Sequence, residues 1–316
     1  MTTRRDFLKL GGGTVAGLVL SSKIGYMRVF AEAQALGLSD PAAQPKFAYP
    51  VPDALAPEFI YQPDRKGKYK IKIGTAVQQT GLVDLSGNLL STPVWGYGDQ
   101  KDKFISWPGR TFQITSGPAK TEVIWANALN GVQYMLPVDT TLHWCYSLPG
   151  YQRNTIARNG VPIITHLHGG HTDYQFDGNP EFFYSPSGPK QAVGPQWDNV
   201  PGGFTTKFRY DNNVPAGNLW YHDHALGITR LNVYAGLAGF YFVRDEFDTG
   251  LVDNPLHLPA WPYEKAYAIQ DRMFTDKGEL FYPAYQGEPA WDDFITDETE
   301  VLMQGSGLFG EDPNLG

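Results

Sequence analysis

Two histidine pairs constrain this chain more than any other feature. His166-Leu167-His168 and His222-Asp223-His224 hold four of its seven histidines. A spacing of two puts both side chains on one face of an extended strand. Each pair therefore predicts a strand that aims two imidazoles at one spot. Two such strands side by side would gather four neutral imidazoles, a donor set suited to copper, zinc or iron. Taken singly, a His-x-His is as readily a satisfied core or surface pair as a ligand pair; two of them favour a metal site. Asp223, between two of the histidines, falls on the opposite strand face and reads as structural.

The surrounding sequence predicts an all-β protein. Glycine (35) and proline (24) are abundant, which favours turns between short strands over long helices. Strands are expected at 69–77, 111–115, 121–126, 161–167, 204–210, 218–224 and 236–244. No run with a period of 3.6 residues is long enough for a major helix. Short strands spaced by turns point to a β-sandwich or Greek-key barrel. Residues 34–65 are proline-rich and read as an extended N-terminal arm lying over a first domain at 66–247. A linker from Leu251 to Pro262 and a new strand at 265–271 open an incomplete second domain within 248–316.

Charge and cysteine usage narrow the function. A net charge of −8 with no basic stripe argues against a nucleic-acid partner. Cys145 is the single cysteine, so no internal disulfide can form. It reads as a buried thiol in a strand. His143-Trp144-Cys145-Tyr146 lacks the downstream histidine and methionine that would make it a copper thiolate. At the N-terminus, Arg4-Arg5 precede Phe7-Leu8-Lys9 and a weakly apolar stretch from Leu10 to Ser22, too short and glycine-rich for a membrane span. With Ala31-Glu32-Ala33 as a cleavage site, residues 1–33 resemble a twin-arginine export signal, and the mature chain is expected in the periplasm or outside the cell.

His166-Leu167-His168-Gly169-Gly170, followed by the run from Trp220 to Phe240, resembles the multicopper oxidases, in the branch of bacterial spore-coat laccases and bilirubin oxidases. Leu142-His143-Trp144, Gly150-Tyr151-Gln152 and Ile269-Gln270-Asp271-Arg272-Met273 fit the same branch. The resemblance implies a cupredoxin-like Greek-key β-sandwich followed by the start of a second cupredoxin-like domain. It implies copper as cofactor: a type 1 copper that takes electrons from a reductant, and a cluster of type 2 and type 3 coppers that reduces O2 to water. By position, His166 matches a type 2 ligand, and His168, His222 and His224 match type 3 ligands. Asp177 matches an acidic residue that handles protons at the type 2 side, and it also reads as a turn aspartate before Gly178. The reductant would be a phenol, a tetrapyrrole or a metal ion. Five methionines with no methionine-rich run disfavour a specialised cuprous oxidase.

The chain departs from this family in one respect. All seven histidines precede residue 258, and the family's His-Pro-x-His-x-His and His-Cys-His motifs are absent. The type 1 site and half of the cluster ligands are therefore not in these residues. The expectation is an N-terminal piece of a longer oxidase, or a chain that pairs with a separate C-terminal half. The alternative is an exported copper-binding half-site or a non-catalytic remnant. A cupin-type oxygenase or zinc hydrolase fits less well. Thr172 and Asp173 stand where a cupin would want glutamate, and Gly170 stands where the hydrolase would want aspartate. Of the other histidines, His143 reads as a packing residue, His171 as a loop hydrogen-bonder and His257 as exposed.

Overall fold

Alternating burial along short segments, broken by glycine and proline, sets the strands of this chain. A computed structural model describes residues 37–101, 104–138 and 142–282. The export-signal residues and the part of the second-domain expectation past 282 lie outside the described residues. The strands are β1 (Lys68–Val83), β2 (Leu89–Asp99), β3 (Gly109–Thr115), β4 (Thr121–Asn127), β5 (Thr165–His168), β6 (His171–Thr172), β7 (Lys207–Asp211), β8 (Gly217–Asp223), β9 (Ala238–Arg244), β10 (Met273–Phe274) and β11 (Leu280–Phe281). Two short helices, α1 (Ile156–Asn159) and α2 (Thr229–Ala235), join them. No helix among the described residues is long and apolar enough to cross a membrane.

One sheet has the order β2-β1-β4-β7-β6 and the other β3-β9-β8-β5. The chain alternates between them. β1 pairs with β4 in parallel, and so does β3 with β9. Parallel neighbours need a connection that leaves the sheet and returns. The result is an all-β sandwich with crossovers between sheets, as the strand pattern predicts.

Two compact units divide the described residues. One comprises 49–78 and 92–272; the other takes in 37–48, 79–91 and 273–282. In the smaller, β10 and β11 form an antiparallel pair, and Gln44 holds Val83 by its amide oxygen and nitrogen at 2.8 and 3.1 Å.

The larger unit is organised around aromatic side chains. Phe112 on β3 is fully buried. Its ring centre lies 4.7 Å from Tyr61, 5.0 Å from Tyr69, 5.3 Å from Tyr221 and 5.4 Å from Tyr241. Trp125 on β4 closes the stack from the facing sheet, 5.6 Å from Tyr221. Three of the polar tips are satisfied as buried Tyr and Trp require, while the buried Tyr61 hydroxyl has no hydrogen-bond partner among the described residues. The Tyr221 hydroxyl donates to the Arg110 carbonyl, the Trp125 indole N–H to the Tyr210 hydroxyl, and the Tyr241 hydroxyl to Asn212. Within the proline-rich arm, Ala54 and Leu55 are buried against Phe240, Phe242 and Ala266.

Several elements differ from the sequence expectation, among them the two-residue strands β6, β10 and β11, which are too short to show an alternation. β2 was not foreseen, because Pro93, Gly96 and Gly98 interrupt its alternation. Of the strand expected at 161–167, ladder pairing covers only Thr165 onward; Pro162 has no N–H to donate. The strand expected at 265–271 is irregular: Ala266 is buried, but Tyr267 and Ile269 are exposed and the segment has no ladder partner among the described residues.

Phe112→Ala is expected to destabilise the fold by about 3–5 kcal/mol, since it empties the centre of the stack. Chemical denaturation measures this, and a loss under about 1 kcal/mol would contradict the central role of Phe112.

Candidate metal centre

The antiparallel pairing of β5 with β8 brings the two histidine pairs together. His166 stands opposite His222, and His168 opposite Trp220. Residues directly opposite in such a pair share a face, so His166, His168, Trp220 and His222 project to one side. His224 lies one residue past the end of β8, and its N–H donates to the Ile164 carbonyl at 2.8 Å, which carries the extended line onward. The ligand atoms of His166, His168 and His222 lie within 4.8 Å of one another. The ring of His224 joins them, 5.2 Å from His166 and 5.7 Å from His222.

Backbone carbonyls fix how three of the rings point. Nδ1–H of His166 donates to the Asp177 carbonyl, that of His222 to the Asp223 carbonyl at 2.7 Å, and that of His224 to the Gly178 carbonyl at 2.9 Å. With Nδ1 occupied as donor, Nε2 keeps its lone pair and is the nitrogen available to a metal. His168 is different. Its Nδ1 faces Nε2 of His222 at 3.3 Å, so a proton or a metal cation must sit between the two nitrogens. Burial lowers the pKa of His222 to about 4, and burial also lowers that of His224. Both rings are thus neutral at neutral pH, the form that binds metal. Trp220, partly exposed, lies against His168 and His222 with ring centres 5.1 and 4.2 Å away.

Two glycines let the backbone reach these positions. Gly169 follows His168 with φ of +84°, the tight turn expected after the first pair. Gly178, with φ of +77°, comes so close that a Cβ there would meet the His166 Cα at 2.5 Å. Gly178 was not singled out as functional from sequence; the Asp177-Gly178 turn was its only signal. Asp177 supplies its carbonyl to His166. Its half-exposed carboxylate accepts the Thr172 hydroxyl at 3.0 Å and stands 3.7 Å from Nδ1 of His166, on the ring edge away from Nε2.

Asp223 points the other way, fully buried, and burial pushes its carboxyl up to about 7 against several hydrogen-bond donors. His143 is exposed, which corrects its reading as a packing residue: Trp144, beside it, takes the buried place. His171 is exposed opposite Asp211, and His257 is exposed as expected. Cys145 is buried, in a short helical turn at Cys145–Ser147 instead of the expected strand. Its thiol donates to the Leu226 carbonyl and burial pushes its pKa up, so it stays protonated.

The site is thus a cluster of imidazoles, nitrogens inward, on the edge of an all-β sandwich. The chain is 33% identical over 252 residues to a laccase of Bacillus stratosphericus, a match that covers 80% of this chain and 42% of the relative. It is 33% identical over 204 residues to the multicopper oxidase LPR1 of Arabidopsis thaliana, covering 64% of this chain and 31% of that one. A solved multicopper oxidase from Pediococcus acidilactici aligns at 20% identity with a TM-score of 0.46, over 75% of this chain and 37% of that one. No family model matches. The chain belongs to the multicopper oxidase family, and it spans less than half the length of these curated relatives.

If these histidines bind copper, Gly178→Ala is expected to weaken binding of Cu(II) by about tenfold or more, because the added Cβ would push the turn and its carbonyl away from the rings they orient, and a lost acceptor behind a ligand costs that much. Calorimetric titration with Cu(II) tests it, and unchanged affinity would contradict the role given to the Gly178 turn.

Proposed function

We propose that this chain carries half of the oxygen-reducing copper site of a multicopper oxidase. The observation that supports this reading is the convergence of ligand nitrogens from His166, His168 and His222 within 4.8 Å of one another, with the ring of His224 5.2 Å from that of His166 and three of the four rings oriented by backbone carbonyls. His166 would hold type 2 copper, and His168, His222 and His224 would hold type 3 copper. The donor set fits: neutral imidazole binds both oxidation states of copper, and the close approach of His168 to His222 places two nitrogens where a cation relieves their repulsion. When bound, copper supplies one-electron chemistry towards O2.

The chain's own residues do the rest. The carbonyls of Asp177, Asp223 and Gly178 hold the rings and keep their tautomers. Trp220 covers the solvent side of His168 and His222. Asp177, half exposed and steadied by Thr172, is placed to exchange protons between solvent and the His166 side of the site. The electrons would come from a phenol, a tetrapyrrole or a metal ion through a type 1 copper on a further segment or a partner chain. Residues 1–33 would direct export by the twin-arginine route. A second reading, an exported copper-binding half-site without turnover, is favoured by one observation: no His-Cys-His run that would hold an electron-accepting copper stands in these 316 residues.

Copper-loaded protein measured by elemental analysis is expected to lose its bound copper pair in His168→Ala and in His224→Ala. Unchanged copper in either variant would overturn the ligand assignment. The 316-residue chain alone is expected not to oxidise a phenol with copper present. Measurable turnover would show that electrons enter without a type 1 site.

A further inference from the structure

β8 ends at Asp223, one residue before the last histidine of the set. His224 therefore sits where the strand ladder has stopped, yet its ring centre stays 5.2 Å from that of His166. The Asp223 carboxylate takes over from the ladder. Oδ1 accepts the Ile164 N–H at 3.0 Å and Oδ2 accepts the Ala225 N–H at 3.0 Å. Ile164 is also the residue whose carbonyl receives the His224 N–H, and Ala225 follows His224 directly. One carboxylate thus grips the backbone on both sides of this histidine.

A further bond fixes the carboxylate itself. Asn232, fully buried on α2, donates from Nδ2 to Oδ2 of Asp223 at 2.7 Å. The same Nδ2 lies 3.3 Å from the Pro162 carbonyl, and Oδ1 accepts the Tyr134 hydroxyl. The amide has its donors on one side and its acceptor on the other. The Pro162 carbonyl and the Asp223 carboxylate only accept, so the NH2 side must face them, and the Tyr134 hydroxyl donates to the amide oxygen left on the other side. Burying a carboxylate and an amide between a helix and a strand costs stability that an apolar pair would not. What the polar pair supplies is direction.

We propose that Asn232 is a positioning residue for the metal centre: acting through Asp223, it holds His224 in line with His166, and the Tyr134 hydroxyl braces its amide from the other side. The proposal rests on the reading of His224 as a copper ligand, and the test separates the two. In the metal-free full chain, exchange of the imidazole N–H protons is followed by nitrogen-15 NMR. His224 and His166 serve as an internal pair, because both donate Nδ1–H to a carbonyl, while the Asp223 carboxylate holds Ala225, directly beside His224, and on the other strand reaches only Ile164, two residues before His166. Asn232→Asp keeps the size and the acceptor for Tyr134 and removes the donor. It is expected to speed exchange at His224 by about tenfold or more, the effect of losing one buried hydrogen bond, and to leave His166 unchanged. Tyr134→Phe is expected to speed His224 in the same direction by less. Unchanged exchange at His224 in Asn232→Asp, or equal acceleration at both histidines, would overturn the proposal, since the second result is what a merely structural loss produces. Copper titration of the unaltered chain judges the ligand reading separately.

Discussion

The register of β5 against β8 is the constraint on which the rest of this structure depends. A strand offers its two faces to alternate residues, so the register that places His166 opposite His222 also sends Leu167 and Tyr221 inward. Both are 1% exposed. Tyr221 packs on Phe112, Tyr97 and Trp125 in the aromatic centre. A slip by one residue would turn the histidines into that centre and expose the apolar pair, at about 1.5–3 kcal/mol for each side chain left in water. The hydrophobic core and the histidine cluster are two faces of one strand pairing, and the core holds the register for both.

Orientation is a second requirement, and the backbone meets it. Imidazole can present either nitrogen, and a metal site needs each ring committed to one. Carbonyls of Asp177, Asp223 and Gly178 take Nδ1–H of three rings. Two of these carbonyls come from one turn, whose Gly178 allows the close approach to β5. Burial then keeps His222 and His224 neutral. None of these acceptors is a side chain, so the ring directions depend on the path of the main chain.

That division explains what could be read from the amino-acid order. The period of two in each histidine pair announced the shared face, and the glycine after His168 announced the turn. The inward direction of Asp223 also followed from alternation. Gly178 could be read as a turn residue but not as the acceptor for His224, because the two are distant in sequence. The use of Nδ1 by His168, and the bond from Asn232 on α2 to Asp223, depend on tertiary placement that no local pattern encodes. β2 has no legible alternation, because its proline and glycines interrupt a strand that is held by its pairing with β1. The segment at 265–271 reads as a strand from its alternation, but it pairs with no strand among the described residues.

Kinship with laccases and multicopper oxidases, over less than half of their length, makes the four histidines a claim about metal and not only about fold. Paramagnetic broadening by Cu(II) of the histidine ring signals in this chain tests that claim most directly. The account predicts that His166, His168, His222 and His224 broaden first and together, while His143, His171 and His257 stay sharp. Early broadening of the exposed histidines with the four still sharp would contradict it.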